Sequence, residues 1–228
     1  MGPAGRAGKT TGAGLRAPPT LRRVRIFLET ERLVLRRLTG DDVDDLFALH
    51  ADPEVMKYLD AGPPMAREAV REQLLPRLLE CYERYGGLGY WAAVRRAGPD
   101  AGSFLGWFEL RPQEGGPPEE LELGYRLCRS AWGHGYATEG ARGLVHRAFT
   151  DPALGGVRRV FGETMAVNRG SRRVMEKAGL RYLRTYHAAW PVPLAGSERG
   201  EVVYELLRGD WEEGGPRCPA AGAPGTAG

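Results

Sequence analysis

The sequence has little cysteine, lysine or asparagine and no long apolar run. Cysteine occurs 3 times in 228 residues, at positions 81, 128 and 218, which is too few for a disulfide framework and lacks the paired spacing of a zinc site. No stretch of about 18 apolar residues occurs, so a membrane-spanning helix is excluded. These absences predict a metal-free protein with reduced thiols, located in the cytoplasm.

Charge is unevenly distributed in a chain of otherwise ordinary composition. Hydrophobic residues make up 42% and charged residues 27%, as expected for a protein with a buried core. The net charge is +3, yet residues 1–28 carry only basic charges and the remainder has 26 basic and 29 acidic side chains. A nucleic-acid-binding surface needs basic residues clustered on a folded face. A nucleic-acid partner is therefore not expected, although binding through the basic tail is an open alternative.

Low-complexity segments flank one predicted domain. Residues 1–24 are rich in Gly, Ala, Pro and Thr and lack the apolar segment of a secretory signal, and residues 212–228 are similarly rich in Gly, Ala and Pro. Such compositions predict disorder. We therefore predict a disordered basic tail at 1–24, a folded domain at 25–211 and a disordered C-terminal tail at 212–228.

The hydrophobic pattern of the domain predicts an α+β (or α/β) fold with the element order βααβββαβαββ. Thr39, three residues before Asp42, forms a capping-box pattern at the start of the first helix. Pro76 is expected to kink or split the second. Gly and Pro clusters separate three strands of an antiparallel meander. The expected core is a mixed, mostly antiparallel sheet flanked by about four helices. Predicted strands cover 31–38, 89–95, 103–111, 120–128, 157–165, 181–190 and 200–207, and the last three helices cover 66–84, 136–149 and 169–177.

A glycine-rich turn after the third meander strand carries the strongest chemical signal. The segment Trp132-Gly133-His134-Gly135-Tyr136-Ala137-Thr138 follows a strand and opens a helix. Glycines let the backbone approach a bulky ligand, and the free N–H groups and dipole at a helix start favour an anion. The turn therefore predicts a phosphate or pyrophosphate cradle. A tight turn without a ligand is the alternative.

A second signal lies at the start of the helix predicted at 169–177. Asn168, the only asparagine in the chain, can cap this helix. Its amide is both donor and acceptor, so it can alternatively bind a ligand rich in amides. Ser171, in the first turn of the helix, would project into the same cleft.

These segments together resemble the GNAT superfamily of acetyl-CoA-dependent N-acetyltransferases. The resemblance rests on residues 29–55, 124–149 and 163–182, and it covers about residues 29–211. It is closest to the branch that includes the Rim-type ribosomal-protein N-terminal acetyltransferases. It implies a GNAT fold, acetyl-CoA as cosubstrate and direct transfer of the acetyl group to an amine.

The resemblance also implies roles for individual residues. The pyrophosphate loop would run from Trp132, which stands where Gln or Arg is usual, to Ala137. The strand around Leu127 would pair with the pantetheine amides, and Asn168 would contact the pantetheine arm. Ser171 would protonate the leaving thiolate, because no tyrosine follows on this helix. The implied cofactor-binding residues are Leu127, Cys128, Trp132, Gly133, His134, Gly135, Tyr136, Ala137, Thr138 and Asn168.

Attack by an amine requires a group that accepts its proton. Glu122, in a central strand, and Glu163, five residues before Asn168, are the candidates, and each is alternatively an ordinary strand carboxylate. The resemblance favours Glu163, which matches the position of the base in some protein-acetylating relatives, and Glu163→Gln is expected to lower the rate and shift its pH profile. Two arginine pairs, at 158–159 and 172–173, are candidates for binding the 3′-phosphate of coenzyme A or are simply solvated. His187 is a candidate for lining the acceptor pocket.

The acceptor is less defined than the acetyl donor. The branch resemblance favours a protein N-terminus, and a small-molecule amine is nearly as well supported. A non-catalytic acyl-CoA-binding module is the alternative to an enzyme. A homodimer is the base-rate expectation for the oligomeric state.

Overall fold

The structure is a computed structural model that describes residues 25–59, 62–190 and 192–214. It contains one eight-stranded sheet and, within these residues, seven α-helical segments. The strands are β1 (Ile26–Glu29), β2 (Leu33–Arg37), β3 (Gly89–Arg95), β4 (Phe104–Arg111), β5 (Glu120–Leu127), β6 (Arg159–Met165), β7 (Arg181–Tyr186) and β8 (Glu201–Leu207). The helices are α1 (Val43–Ala51), α2 (Pro53–Met56), α3 (Arg67–Ala69), α4 (Leu75–Arg84), α5 (Tyr136–Thr150), α6 (Arg169–Lys177) and α7 (Arg208–Gly214).

The sheet order confirms the predicted mixed, mostly antiparallel topology. The strands lie in the order β1-β2-β3-β4-β5-β6-β8-β7. Only β5 and β6 pair in parallel, and α5 makes the crossover between them. The predicted meander is present as β3, β4 and β5, which pair in antiparallel register.

Alternating strand side chains pack into two layers, one on each face of the sheet. On one face Trp91 and Phe108 pack with α5 residues such as Leu144. On the other face Trp107 packs with side chains from α1 and α4, among them Leu46. Burial of these apolar side chains stabilises both layers by roughly 25 cal/mol per Å². With both faces covered, the free edges and gaps of the sheet are the places where it can bind a ligand.

Two local predictions for the first helices are refined by the structure. Thr39 and Asp42 form the predicted capping box, ahead of α1. Pro76 was expected to kink or split its helix, and the structure divides that helix into α3 and α4, with a π-helical turn at Val70–Leu74 between them. A proline lacks an N–H and its ring clashes with the carbonyl four residues earlier. The wider π turn relieves that conflict.

Other differences lie near the ends of the domain. Strand β1 and helix α7 were not predicted, and β7 ends at Tyr186 instead of 190. The helices exceed the predicted four because α2 and α7 are additional and the helix at 66–84 is divided. Helix α7 runs to Gly214, three residues beyond the predicted domain end at 211. The predicted tail at 1–24 and residues 215–228 lie outside the described residues.

Strands β5 and β6 are paired for only part of their length. Their parallel register joins Glu120–Glu122 with Arg159–Phe161. Beyond these pairs β5 continues beside β4 to Leu127, while β6 continues beside β8 to Met165. The strands therefore separate towards their carboxyl ends. Helices α5 and α6, which follow β5 and β6, both begin at this opening.

Candidate active site

A cleft of about 840 Å³ opens where β5 and β6 separate. Its walls are β5 and the start of α5 on one side, and β6 and the first turns of α6 on the other, with the segment around Tyr58 at its margin. This volume suits a small-molecule ligand or cofactor. The predicted residues that line it are Glu122, Leu127, Trp132, Gly133, Gly135, Tyr136, Ala137, Thr138, Glu163, Asn168 and Ser171.

Strand β5 presents a free edge to the cleft. Past Glu122, β5 has no strand partner on its β6 side within the described residues. On the other side, Gly106 of β4 has a φ of +133°, and a Cβ atom there would lie 2.2 Å from the carbonyl oxygen of Arg126. Gly106 therefore allows β4 to approach β5 closely. An unpaired edge can bind an extended, amide-containing chain through backbone hydrogen bonds, which fits the pantetheine arm that the resemblance implies.

The loop at 132–138 reaches the cleft through its backbone. Gly133 and Gly135 have φ angles of +77° and +82°, in the left-handed region that favours glycine. Helix α5 begins directly afterwards, and the N–H groups of its first turn have no earlier helical carbonyl to bind. These N–H donors and the positive end of the helix dipole suit a pyrophosphate.

The connection between β1 and β2 holds this loop in place. Glu139, in the first turn of α5, accepts hydrogen bonds from Thr30 Oγ1 at 2.6 Å and from Arg32 Nε at 2.6 Å. Arg32 Nη1 donates to the carbonyl oxygen of His134 at 2.9 Å. The Arg32 guanidinium also lies over the ring of Tyr136, 4.7 Å from its centre. These contacts order the loop in the absence of a ligand.

Trp132 has a structural contact that explains its place at the start of the loop. Its indole Nε1 donates to the carbonyl oxygen of Leu127 at 2.8 Å. The bond connects the end of β5 to the loop that precedes α5. Trp132 thus differs in type from the Gln or Arg of the family pattern while tying the loop to the sheet.

Three candidate residues lie outside the lining of the cleft. The N–H of Cys128 donates to the carbonyl oxygen of Leu105 at 2.9 Å, so it is already used within the sheet. The Cys128 side chain packs with the layer beneath α1, and burial raises the pKa of its thiol. His134 is exposed and contributes its carbonyl oxygen to Arg32. His187 is exposed as well and does not line the cleft.

Asn168 caps α6 and faces the cleft. Its Oδ1 accepts from the N–H of Ser171 at 3.1 Å, and its Nδ2 donates to Thr164 Oγ1 at 3.1 Å. The capping interpretation is therefore confirmed. A contact between Asn168 and the pantetheine arm stays a prediction.

Ser171 lies beside the half-buried phenol of Tyr125, which sequence analysis did not select. The hydroxyl oxygens of Ser171 and Tyr125 are 3.0 Å apart, and Tyr125 also lies 2.9 Å from the carbonyl oxygen of Ser171. Burial raises the pKa of Tyr125, with the contact to Ser171 acting in the opposite direction. The phenol is therefore protonated at neutral pH and is available as a donor.

Glu122 belongs to a cluster of charged groups on β4 and β5. Burial raises its pKa to about 7, the charges of Glu109 and Glu163 add to the shift, and Arg111 opposes it. Arg111 Nη2 lies 2.7 Å from Glu109 Oε1 but 3.8 Å from Glu122 Oε2. The guanidinium therefore pairs mainly with Glu109, and burial raises the pKa of that carboxyl too. A carboxylate with a pKa near 7 is suited to accept a proton at neutral pH.

Glu163 faces the same cleft with a different partner. Tyr186 donates its phenolic hydrogen to Glu163 Oε2 at 2.6 Å. Burial and this contact raise the pKa of Tyr186, so the phenol remains a donor. Both predicted carboxylates are thus in the cleft, Glu122 within a charged cluster and Glu163 held by a tyrosine.

The two arginine pairs have different positions. Arg159 binds Glu120 and Glu205, and neither Arg158 nor Arg159 lines the cleft. Arg172 donates to oxygen atoms of Ala166 and Tyr204. Arg173 does line the cleft, together with Lys177 one helical turn later on α6. Of the four arginines predicted as candidates for binding the 3′-phosphate, only Arg173 lines the cleft.

Sequence analysis missed Arg32, Glu109, Arg111 and Tyr125. Arg32 and Glu139 are 107 positions apart, and Tyr125 and Ser171 are 46 positions apart. Such contacts leave no local pattern. Glu109 did leave a signal, since it is a carboxylate within the otherwise apolar run Phe104–Leu110.

Neither a metal centre nor a membrane helix is found in the residues that the structure describes. Across 25–59, 62–190 and 192–214, no three His, Cys, Asp or Glu side chains are grouped to hold a metal ion. No helix in these ranges combines the length and apolar character needed to span a bilayer.

His50 contacts the Arg126 guanidinium at 3.0 Å, and burial together with this charge lowers the pKa of His50 to about 4.

Comparison with known proteins identifies the family. The family model described as an acetyltransferase (GNAT) domain matches residues 32–181. The FsC-acetyl coenzyme A-N(2)-transacetylase of Aspergillus fumigatus is 35% identical over 204 residues, which cover 86% of this chain and 80% of that protein.

Solved structures agree with this match at the level of the fold. A GNAT-family acetyltransferase from Bacillus anthracis has a TM-score of 0.64 and 22% identity, covering 80% of this chain and 99% of that one. Aminoglycoside acetyltransferase AAC(6')-Ib in complex with coenzyme A has a TM-score of 0.60 and 21% identity, covering 79% and 98%.

None of these matches confirms the Rim-type branch, which stays a prediction. The match at 32–181 contains the glycine loop, Asn168, Ser171 and both candidate carboxylates. The chain therefore belongs to the GNAT acetyltransferase domain family, and it is an N-acetyltransferase that uses acetyl-CoA as its cosubstrate.

Proposed function

We propose that the protein transfers the acetyl group of acetyl-CoA to a primary amine of a small molecule. The Aspergillus fumigatus relative is named FsC-acetyl coenzyme A-N(2)-transacetylase, and a numbered nitrogen such as N(2) is the usual way to specify one atom of a small compound. With 35% identity over 86% of this chain, that relative supports a small-molecule acceptor. A protein N-terminus, which the Rim-type resemblance favours, is the competing acceptor.

The proposed acetyl-CoA site uses the two parts of the cleft wall formed by β5 and α5. The pyrophosphate would bind the N–H groups of residues 133–138, where the left-handed glycines and the helix start combine. The pantetheine arm would extend along the free edge of β5 towards Asn168. Arg173 and Lys177, two of the three cationic residues of α6 that line the cleft, are the proposed partners of the 3′-phosphate.

The observation that carries the proposed mechanism is the charged cluster around Glu122. An aliphatic primary amine is mostly in its ammonium form at neutral pH. It must lose a proton before its nitrogen can attack the thioester carbonyl. Glu122 lines the cleft and has a pKa of about 7, so a large fraction is ionised and able to accept that proton at neutral pH. We propose Glu122 as the general base, directly or through water, and Glu163 as a group that positions the acceptor amine.

Direct transfer proceeds in one complex. The ammonium first loses one proton to Glu122. The free amine nitrogen then forms a bond to the acetyl carbon, the carbon–sulfur bond breaks with its electron pair on sulfur, and the second nitrogen proton passes to that sulfur, directly or through water. Ser171 is proposed to donate its hydroxyl hydrogen towards that thiolate. Holding both reactants together lowers the barrier by about 7–11 kcal/mol at best, so the carboxylates are expected to add to this effect rather than replace it.

An assay of acceptor classes tests the proposed function. The full chain is incubated with acetyl-CoA and either small amines, including amino acids and their amides, or peptides with free N-termini. Thiol release gives rates, and mass spectrometry locates the acetyl group. Faster acetylation of small amines supports the proposal, whereas preference for peptide N-termini overturns the acceptor class.

Variants of the two carboxylates test the proposed base. Glu122→Gln should lower kcat by about 100-fold or more and remove the acidic limb of the pH–rate profile near pH 7. Glu163→Gln should mainly raise the KM of the amine and keep that limb. The opposite result, with the limb lost only in Glu163→Gln, would reassign the base to Glu163.

The cytoplasmic location and the homodimer stay predictions. Sedimentation velocity on the full chain across a range of concentrations measures the oligomeric state directly. A monomer at all concentrations would contradict the dimer prediction without affecting the proposed chemistry.

A further inference from the structure

The contact between Tyr125 and Ser171 couples two hydroxyl groups from opposite walls of the cleft. Tyr125 extends from β5, and Ser171 lies in the first turn of α6. Both residues line the cleft. Their hydroxyl oxygens are 3.0 Å apart, and the Tyr125 hydroxyl is 2.9 Å from the carbonyl oxygen of Ser171.

The number of hydrogen atoms limits how this group can be bonded. Tyr125 has one hydroxyl hydrogen and two acceptors within reach, the carbonyl and hydroxyl oxygens of Ser171. If Tyr125 donates to the carbonyl oxygen, the two hydroxyls are hydrogen-bonded only when the Ser171 hydrogen points back to the phenol oxygen. If Tyr125 donates to Ser171 Oγ, the Ser171 hydrogen is free to point into the cleft. Only the second arrangement lets Ser171 donate to a group bound there and keep its hydrogen bond to Tyr125.

We propose that Tyr125 is a positioning residue that directs the hydroxyl hydrogen of Ser171 towards the thiolate leaving the acetyl group. This inference rests on the proposed role of Ser171. As negative charge develops on sulfur, it favours the arrangement in which Tyr125 donates to Ser171 Oγ and Ser171 donates to sulfur. No proton needs to leave Tyr125. Burial raises the pKa of Tyr125, in agreement with a phenol that stays protonated.

The surroundings of the pair favour a fixed geometry. Ser171 is held by its N–H bond to Asn168 Oδ1 at 3.1 Å, so its Cα is anchored at the start of α6. The Tyr125 ring contacts Phe108, with ring centres 6.0 Å apart. Preorganised donors cost no reorganisation when charge develops. The hydroxyl direction is then the remaining degree of freedom, and Tyr125 controls it.

A double-mutant cycle tests the inference. Tyr125→Phe removes the hydroxyl and keeps the ring, so kcat should fall about ten-fold, the effect of one hydrogen bond. The KM of acetyl-CoA should change by less than about two-fold, since the ground state does not contain the thiolate. In a Ser171→Ala background, Tyr125→Phe should cause no further loss of kcat.

Tyr204→Phe is the matched control. Tyr204 is buried and also contacts α6, where its hydroxyl donates to Glu176 and accepts from Arg172, and neither of these hydrogen bonds goes to Ser171. Loss of this hydroxyl should lower thermal stability as Tyr125→Phe does, while leaving kcat within about two-fold.

The outcomes separate the inference from the function on which it rests. Equal kcat losses from Tyr125→Phe with and without Ser171 would overturn the positioning role, and so would an unchanged kcat. If Ser171→Ala alone keeps full kcat, the role of Ser171 in the proposed function fails first.

Discussion

The two sides of the cleft bind by different physical means. The side formed by the glycine loop and the free edge of β5 offers backbone groups, which the left-handed glycines and the start of α5 expose. The side formed by Glu109, Glu122 and Glu163 offers charged side chains, brought together by the register of β4, β5 and β6. The first arrangement suits a constant ligand such as acetyl-CoA, and the second can vary with the acceptor.

This difference has a consequence for substitutions. Backbone donors cannot be removed by shortening a side chain, so the acetyl-CoA side is disrupted by adding atoms or by releasing the loop. The carboxylate side depends on a balance of charges around Glu122. There, a single amide substitution changes the protonation of a neighbour without changing the shape of the cleft.

The largest effect is expected from adding a charge to the glycine loop. Gly135→Glu puts a strained, anionic side chain at a φ of +82°, next to the proposed pyrophosphate. Repulsion between close charges of about 4 kcal/mol at an intermediate dielectric should weaken acetyl-CoA binding by more than about 100-fold. Calorimetric titration of the full chain measures this loss.

Gly155→Glu is the control for strain alone. Gly155 also has a positive φ, +70°, with no neighbour within 4 Å of an added Cβ, and it does not line the cleft. It should bind acetyl-CoA like the wild type. Equal losses in both variants would show that backbone strain, rather than the cradle, explains the result.

A smaller effect, on pH dependence, is expected from Glu109→Gln. Activity should rise with pH as Glu122 ionises, with a midpoint near its pKa of about 7. Removing the Glu109 charge takes away repulsion and leaves Arg111 to pair with Glu122, so the pKa of Glu122 falls. The acidic limb of kcat/KM should move down by roughly one pH unit.

Arg111→Gln should move the same limb in the opposite direction. Among the groups that affect Glu122, Arg111 is the cation whose charge lowers the pKa of that carboxyl. Removing this charge should therefore raise the pKa of Glu122 further. General damage to the fold lowers activity at every pH and does not produce shifts of opposite sign. A limb that stays in place in both variants would mean that the cluster does not set the protonation of the base.

The smallest effect is expected from Arg32→Met, which releases the loop from the β1–β2 connection. Arg32 is 44% exposed at its ion pair with Glu139, and such pairs contribute up to about 1 kcal/mol. The KM of acetyl-CoA should rise about three- to five-fold with kcat nearly unchanged. Arg67→Met is the matched control. It removes another ion pair, with Asp44, and neither residue lines the cleft, so both constants should stay unchanged.

Much of the local structure at the proposed acetyl-CoA site was predictable because its signals are local. The glycines, the start of α5 and the cap at Asn168 occupy short stretches of sequence. The meander could also be predicted from its alternation and its Gly and Pro breaks. By contrast, Glu109 and Tyr125 gain their roles from partners across the sheet or on α6. That proximity depends on strand register, which the sequence pattern does not specify.

The missed elements depend on tertiary contacts. Strand β1 is four residues long and exists through its pairing with β2 and the stacking of Phe27 on Trp91, with ring centres 3.9 Å apart. Helix α7 lies in a glycine-rich segment, and its Trp211 packs on Phe149 at 5.4 Å. Neither element has enough local preference to be predicted alone.

The separation of β5 and β6 leaves an unpaired strand edge in the middle of a sheet rather than at its border. Free edges ordinarily promote aggregation, because the edge strand of another protein can pair with them. Here the β6 and α6 wall faces that edge across the cleft, so a second polypeptide would have to enter with its own side chains on both faces. A thin, flexible arm meets no such obstacle. The same geometry that admits the ligand therefore keeps this internal edge from pairing with a strand of another protein.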